Sequence, residues 1–226
     1  MNFKQQSALE AVKFIKPNQI IGLGAGSTIA YLVQELAKDS KTEMLSFVSS
    51  SQETTDLLLQ FDMKVLNAEN LNSIDIYFDG CDFLDKDLNA LKSGGGIHTD
   101  EKILASMAKE FILLGDTQKY IQKFDKNCSF TIEVVTDSIG FIIGKLRKYF
   151  DIESITIRKD SNQEKILTKR FGALLDVKFN NFPELEVLNH IKLWAGIIDH
   201  SLFHKLATQA ILCGEEVKIH LNKSKE

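Results

Sequence analysis

Apolar side chains recur with two different periods along the first half of the chain, and their alternation predicts the fold. In residues 3–15 (FKQQSALEAVKFI), Phe3, Leu9 and Val12, with the set Ala8, Ala11 and Ile15, fall at helical spacing. QIIGLGAG is a short apolar run ending in glycines, which predicts a strand entering a loop. STIAYLVQELAKDS returns to helical spacing, with Ser27 or Thr28 as candidate N-cap. The cycle then repeats. MLSFVSSS predicts strand and polar loop, QETTDLLLQF helix, MKVLNA strand, SIDIYFDGCD strand and loop, TDEKILASMAKE helix and FILLGD strand. Continuously apolar strands are buried on both faces, so this order predicts a parallel sheet covered by helices on both sides, an α/β fold.

The pattern changes in the second half. FTIEVV, a helix near DSIGFIIGKLRKYF, SITIRKD, ILTKRFGALLDVKF and a helix from Pro183 (PELEVLNHI) predict a small α+β unit. Pro183 suits a first helical position. QAILCGEEVKIHL predicts two short strands that rejoin the first sheet. The expected division is a larger α/β domain of residues 1–127 plus 206–226 and a smaller α+β domain of residues 128–205. Pro17 and Pro183 are the only prolines, so no proline-rich linker marks the boundary.

Composition narrows the partners. The 226 residues suffice for a sizeable core, and 44% hydrophobic with 26% charged residues is an ordinary globular balance. A net charge of −4, with no basic block, argues against nucleic acid. The opening MNFKQQSALEAVKFIK lacks the apolar core of a signal peptide, and no apolar run approaches the ~20 residues of a membrane helix. Cys81, Cys128 and Cys213 have no CxxC spacing and fit free thiols in a reducing cytosol, so the expectation is a cytoplasmic protein without membrane attachment. The acceptor-type triplets at Asn127 and Asn222 are read as chance occurrences.

Seven of the 13 glycines (Gly22, Gly24, Gly26, Gly80, Gly94, Gly95 and Gly96) lie in three loops. In a parallel sheet the loops after strands gather at one edge, where ligands bind, and glycine lets a ligand approach the backbone. GLGAGST (22–28) feeds a helix N-terminus suited to an anion such as phosphate. It has neither the Lys-Ser/Thr pair of a Walker loop nor G-x-G-x-x-G spacing, and a tight strand-to-helix turn explains it equally. SSSQETT (49–55) offers hydroxyls to an anion or, more simply, an N-cap cluster. FDGCD (78–82) sets Asp79 and Asp82 about a glycine, for a metal pair, acid–base work, hydroxyl binding or an ordinary turn. No further ligands have convincing metal spacing. In KSGGGIHTDEK (92–102), Thr99 is a candidate N-cap with Asp100 and Glu101 in the first turn. These acids either compensate the helix dipole or supply an ionised base, with Lys92 as the cation for a developing oxyanion. Together the loops suit proton abstraction beside a carbonyl on a phosphorylated sugar.

GLGAGST, SSSQETT, YFDGCD and KSGGGIHTDEKILASMA, in this order and spacing, resemble the ribose-5-phosphate isomerase type A family. The family's patterns run approximately G-x-G-T-G-S-T, D-G-A-D-E and K-G-G-G-A-x-x-x-E-K. FILLGDTQKY resembles its strand ending in D-x-S-K. The resemblance covers most of residues 1–120 and continues more faintly through IEVV (132–135), LLDV (174–177) and GIIDHSLF (196–203). It implies interconversion of D-ribose 5-phosphate and D-ribulose 5-phosphate through an enediolate, a step of the non-oxidative pentose phosphate pathway, without cofactor or metal. It implies Glu101 as the base moving a proton between C1 and C2, with Asp79, Asp82 and Lys92 assisting ring opening and stabilising the enediolate oxygens. It places Ala25, Gly26, Ser27, Thr28, Gly80 and Cys81 at the substrate, and Ser93, Gly94 and Gly95 with Lys92 along the sugar. Lys119 matches the D-x-S-K lysine, and Lys4 is a further candidate for the phosphate. The implied fold is a Rossmann-like parallel domain with a smaller, ferredoxin-like α+β domain, assembled as a homodimer or homotetramer.

The chain departs from the family pattern at several positions. Ala25 stands for Thr, Phe83 for the Glu of D-G-A-D-E, and Ser93 for a glycine. His98 stands at a commonly apolar position, Lys169 and Arg170 for the Asp-Asn of T-D-N-G, and Ser201 for a glycine. None removes Asp79, Asp82, Lys92 or Glu101. The alternative reading is a catalytically impaired sugar-phosphate sensor on the same fold; amino-sugar phosphate deaminases share the outline but not the K-x-G-G-G-x-x-x-x-E arrangement. His200 and His204 read as an ordinary helix or turn pair, Cys81 as a small packing residue and Trp194 as a core or interface anchor.

Overall fold

A computed structural model describes residues 2–222. The last four residues of the expected larger domain, and the Lys-Ser end of the Asn222 triplet, lie outside the described residues. The chain opens with α1 (Phe3–Val12), β1 (Ile20–Leu23), α2 (Ser27–Leu36), β2 (Ser46–Ser49), α3 (Gln52–Gln60) and β3 (Ile74–Asp79). Two short strands, β4 (Phe83–Leu84) and β5 (Ala90–Leu91), precede α4 (His98–Met107) and β6 (Ala108–Asp116). Next come β7 (Phe130–Val135), α5 (Ile139–Tyr149), β8 (Ile152–Ile157), β9 (Gly172–Phe179), α6 (Leu185–His190) and β10 (Ile197–His200). The remaining strands are β11 (Leu202–Phe203), β12 (Gln209–Cys213) and β13 (Val217–Leu221).

A six-stranded sheet runs in the order β13-β12-β6-β3-β1-β2 and is parallel except for the outer strand β13. A separate antiparallel sheet runs β10-β7-β9-β8, and the short strands form a third, antiparallel sheet β11-β5-β4. Successive residues of a strand face opposite sides, and this separates the cores. Ile76, Phe78, Ile112 and Leu114 pack against Ala8 and Ala11 of α1 and Ile29, Leu32 and Leu36 of α2. Tyr77, Phe111 and Leu113 pack on the other side, with Leu104 and Ala105 of α4 and Phe203. In the second sheet Phe130, Ile132, Val134, Leu175 and Val177 pack against Ile142 and Leu146 of α5 and Leu188 of α6.

Three local expectations are corrected. MKVLNA is no strand: Val65 makes a single parallel bridge to Phe47, and the chain turns away at Asn67, whose side chain accepts from the Glu69 amide. The first helix ends at Val12; the amides of Lys13, Phe14 and Ile15 each reach back only three residues, at 3.1 Å, ahead of Pro17, whose ring disfavours a helical predecessor. Pro183 lies two residues before α6, which follows an extended Glu184.

Gly96 is where the second sheet comes down on the glycine loop. Its φ is +70°, and a β-carbon there would lie 2.6 Å from Leu174 and 3.0 Å from Arg158. Gly96→Ala is expected to cost about 1–3 kcal/mol, through the left-handed backbone and the clash together, read as a lower urea midpoint.

Candidate active site

The site is organised around Asp79 at the end of β3. Tyr77, two residues earlier, lies on the same strand face, and its hydroxyl donates to Asp79 Oδ2 at 2.6 Å. Asp79 Oδ1 accepts from the amides of Gly80 at 2.7 Å and Ala25 at 3.3 Å. The carboxylate is fully buried, and it packs so closely on the first glycine loop that a β-carbon at Gly24 would lie 1.9 Å from it. Gly24 is therefore required by an aspartate of the protein itself. Gly26, with φ +88° and open space where a side chain would be, is the position that leaves room at the N-terminus of α2.

Lys92, just after β5, reaches into the same pocket. Its Nζ donates to the Gly80 carbonyl at 2.6 Å and lies 2.9 Å from Asp79 Oδ2 and 3.2 Å from Glu101 Oε1. Burial alone works against the ammonium, but the carboxylates of Asp79 and Glu101 outweigh it and hold the lysine charged, above its ordinary value. One ammonium thus serves two carboxylates, and the nearer, Asp79, also takes three neutral hydrogen bonds. Glu101 carries the remainder: burial, opposed by Lys92 and reinforced by Asp79, pushes it up to about 8. The helix-end dipole was expected to keep this carboxylate ionised; burial and the second carboxylate dominate instead. A carboxyl tuned near neutrality suits both taking and returning a proton.

Asp82 is exposed and points its Oδ2 at the amides of Ser93 at 2.6 Å and Gly94 at 2.9 Å. The carbonyls of the same two residues accept from Arg158, at 2.7 and 3.1 Å, and Arg158 is held by Asp176 at 2.5 and 2.9 Å. The glycine loop is thus fixed from both sides. Ser93 Oγ donates to the Ser129 carbonyl at 2.7 Å and bonds Ser201 Oγ at 2.9 Å, so the two serines standing where the resemblance has glycines meet each other.

Around this centre opens a cavity of about 240 Å³, lined by Lys4, Ala25, Gly26, Ser27, Thr28, Gly80, Cys81, Asp82, Lys92, Gly94, Gly95, Glu101 and Lys119. Its lining includes the N-terminus of α2 and two lysines besides Lys92. Lys4 Nζ donates to Ser27 Oγ at 2.8 Å, and Lys119 Nζ to the Cys81 carbonyl at 2.6 Å. Lys92 and Glu101 line the same cavity. Asp79 and Ser93 do not line this cavity: Asp79 sits behind Lys92, and Ser93 borders a neighbouring cavity with Phe83 and Arg158. The Cys81 thiol is pushed up to about 11 by burial and stays protonated, which removes it as a nucleophile. Among the described residues, no three His, Cys, Asp or Glu side chains gather where they could hold a metal ion, and no helix is long and apolar enough to cross a membrane.

Several smaller expectations change. α2 is capped by the Gly26 backbone with no side-chain bond; neither Ser27 nor Thr28 caps it. Thr99 is not an N-cap, because α4 starts at His98, and its hydroxyl donates to Glu133. Asp100 does more than offset the dipole: it pairs with Lys169 and Arg170. His98 is buried and neutral, pushed down to about 3 by burial and Lys102. His200 ends β10, and His204 follows β11, so neither lies in a helix. Trp194 is half-buried against Tyr149 and Phe150. Tyr77 and Arg158 escaped the sequence reading. The two-residue period back from Asp79 points to Tyr77; nothing in SITIRKD distinguishes Arg158.

The family model for ribose 5-phosphate isomerase A (phosphoriboisomerase A) matches residues 46–217. Ribose-5-phosphate isomerase A of Methanococcus aeolicus is 31% identical over 95% of this chain and 92% of its own length. The protein of that name from Neisseria meningitidis serogroup C is 29% identical over 94% and 92%. Among solved structures, a D-ribose-5-phosphate isomerase in complex with phospho-erythronic acid superposes with a TM-score of 0.90, at 28% identity, over 98% of this chain and 100% of that one. Ribose 5-phosphate isomerase A from Methanocaldococcus jannaschii gives 0.88 at 28% identity, over 97% and 98%.

The carboxyl carbon of Glu101, followed by NMR and assigned by difference from Glu101→Gln, is expected to titrate with a midpoint near 8. Lys92→Met removes the nearest charge that opposes this shift, so the midpoint moves further up; a downward move would contradict the assignment of causes.

Proposed function

This chain belongs to the ribose 5-phosphate isomerase A family, and from that premise we propose how its residues interconvert D-ribose 5-phosphate and D-ribulose 5-phosphate. The phosphate sits at the N-terminus of α2, on the backbone N–H groups of Gly26, Ser27 and Thr28, with Lys4 and Lys119 adding positive charge. Asp82 and Lys92 assist opening of the furanose. The open sugar lies along Gly80, Cys81, Gly94 and Gly95, its C1–C2 end at Glu101. Glu101, as carboxylate, removes the C2 proton of the aldose. The electron pair moves into a C1–C2 double bond, and charge develops on the carbonyl oxygen beside the Lys92 ammonium. The proton of the C2 hydroxyl passes to O1, Glu101, now protonated, returns its proton to C1, and the electrons left on O2 form the ketose carbonyl at C2. Asp79, off the cavity, acts by holding Lys92 charged and in place. The lysine shared at 2.9 and 3.2 Å between a saturated aspartate and a proton-accepting glutamate carries this reading. Residues 1–127 with 206–226 carry the site in this scheme, and residues 128–205 brace it.

The same reading places the protein in the cytosol, supported by three free, buried cysteines. It assembles as a homodimer, supported by the exposed apolar side chains Val217, Ile219 and Leu221 on the outer strand β13. Light scattering of the purified protein is expected to give twice the chain mass; a single-chain mass counts against assembly.

Ketose formation from ribose 5-phosphate tests the chemistry. Glu101→Gln is expected to lower kcat by about 10²- to 10⁴-fold with little change in KM. Undiminished turnover would remove Glu101 as the base. Tight binding of ribose 5-phosphate by the unaltered protein without turnover would favour the sensor reading.

A further inference from the structure

The second sheet meets the first turn of α4 with the polar side of its strands. The alternation that buries Phe130, Ile132 and Val134 against α5 and α6 turns Glu133 the other way. Of residues 99–102, all but one are tied to the second sheet and its connecting turn. The Thr99 hydroxyl donates to Glu133. Lys102 Nζ lies 2.7 Å from Asp199 Oδ1 and also donates to the His200 carbonyl. Asp100 accepts from both terminal nitrogens of Arg170, at 3.0 and 2.7 Å, and pairs with Lys169. Glu101 alone turns to the cavity and Lys92.

Arg170 is presented by a tight turn between β8 and β9. The Thr168 amide donates to the Gly172 carbonyl and the Phe171 amide to the Thr168 carbonyl, both at 2.9 Å. The Thr168 hydroxyl accepts from the amides of Arg170 at 3.2 Å and Gly172 at 3.1 Å, and donates to Glu133 at 2.5 Å. A planar guanidinium on a braced backbone fixes a carboxylate in both position and orientation. Lys169 brings the same charge on a side chain that is 68% exposed, without the fork.

We propose that Arg170 is a positioning residue for the isomerisation: its fork on Asp100 fixes the first turn of α4, and thereby the Glu101 carboxylate against Lys92, while its charge offsets that of Asp100 next to the base. This rests on the reading of Glu101 as the base. The test is steady-state kinetics with ribose 5-phosphate across pH for Arg170→Met, Lys169→Met, Asp100→Asn and the double variant Asp100→Asn/Arg170→Met, with thermal unfolding alongside. Arg170→Met is expected to lower kcat by about 10-fold or more with KM nearly unchanged, because a small misplacement of the base is costly. Its acid limb moves to higher pH, since the Asp100 charge is then less compensated. Lys169→Met stays within about 2-fold, as exposed ion pairs contribute little. The double variant is no worse than its worse single parent, because both remove one shared interaction. Unchanged kcat and acid limb in Arg170→Met, a fall in Tm alone, or losses that multiply in the double variant would overturn the proposal. An inactive Glu101→Gln beside a wild-type-like Arg170→Met defeats only the positioning role; an active Glu101→Gln defeats the base reading on which it rests.

Discussion

One buried ammonium between two carboxylates is the constraint from which the site follows. Lys92 sits 2.9 Å from Asp79 and 3.2 Å from Glu101, and a single positive charge cannot satisfy both in a low-dielectric setting. The protein resolves the imbalance by giving Asp79 every other donor within reach: the Tyr77 hydroxyl and the amides of Gly80 and Ala25. That choice leaves Glu101 under-compensated, so that burial, reinforced by Asp79, outweighs Lys92 and raises its pKa. The reactivity of one carboxyl is thus set by its burial together with how completely its neighbour is satisfied. Gly24 belongs to the same solution, since only a residue without a β-carbon lets the loop close over Asp79.

The second sheet earns its place by geometry rather than by lining the cavity. Its apolar side makes a core of its own, and its polar side meets α4 and the glycine loop. Arg158 takes the carbonyls of Ser93 and Gly94 while Asp82 takes their amides, so the peptide between the lysine and the glycines has almost no freedom. A three-glycine loop is intrinsically permissive. Here its conformation is imposed by side chains that lie far away in sequence.

This division explains what was legible in the sequence. The parallel sheet could be read because burial on both faces leaves continuous apolar runs, and the candidate site because Asp79, Asp82 and Lys92 lie beside glycine loops and Glu101 in the first turn of the helix that follows one. MKVLNA misled because an edge segment making one bridge has the same composition as a full strand. Thr99 misled because a hydroxyl before an acidic turn looks like a cap, whereas the second sheet supplies a competing acceptor in Glu133. Arg158 and the partners of Asp100 were invisible for a simpler reason: the contacts of Arg158 with the glycine loop and of Asp100 with Lys169 and Arg170 each join residues more than fifty positions apart, and no local pattern encodes them.

Viewed through those long contacts, most of the departures from the family pattern become paired or local accommodations. Ser93 and Ser201 bond each other, with the Ser129 carbonyl and the Thr131 amide completing the set, so two added hydroxyls create no unsatisfied group. Lys169 and Arg170 stand opposite Asp100, where the family's Asp would have set a carboxylate against a carboxylate. Ala25 lacks a hydroxyl, but what it contributes to Asp79 is a backbone N–H that any non-proline residue supplies. Phe83 packs on the core of the second sheet and borders the neighbouring cavity, away from Lys92 and Glu101. Each of these changes is absorbed where it occurs, and none reaches the charge balance at Lys92. A chain drifting toward a binding-only role would be free to lose that balance first, since an under-compensated buried carboxylate is costly to keep and is suited to moving a proton.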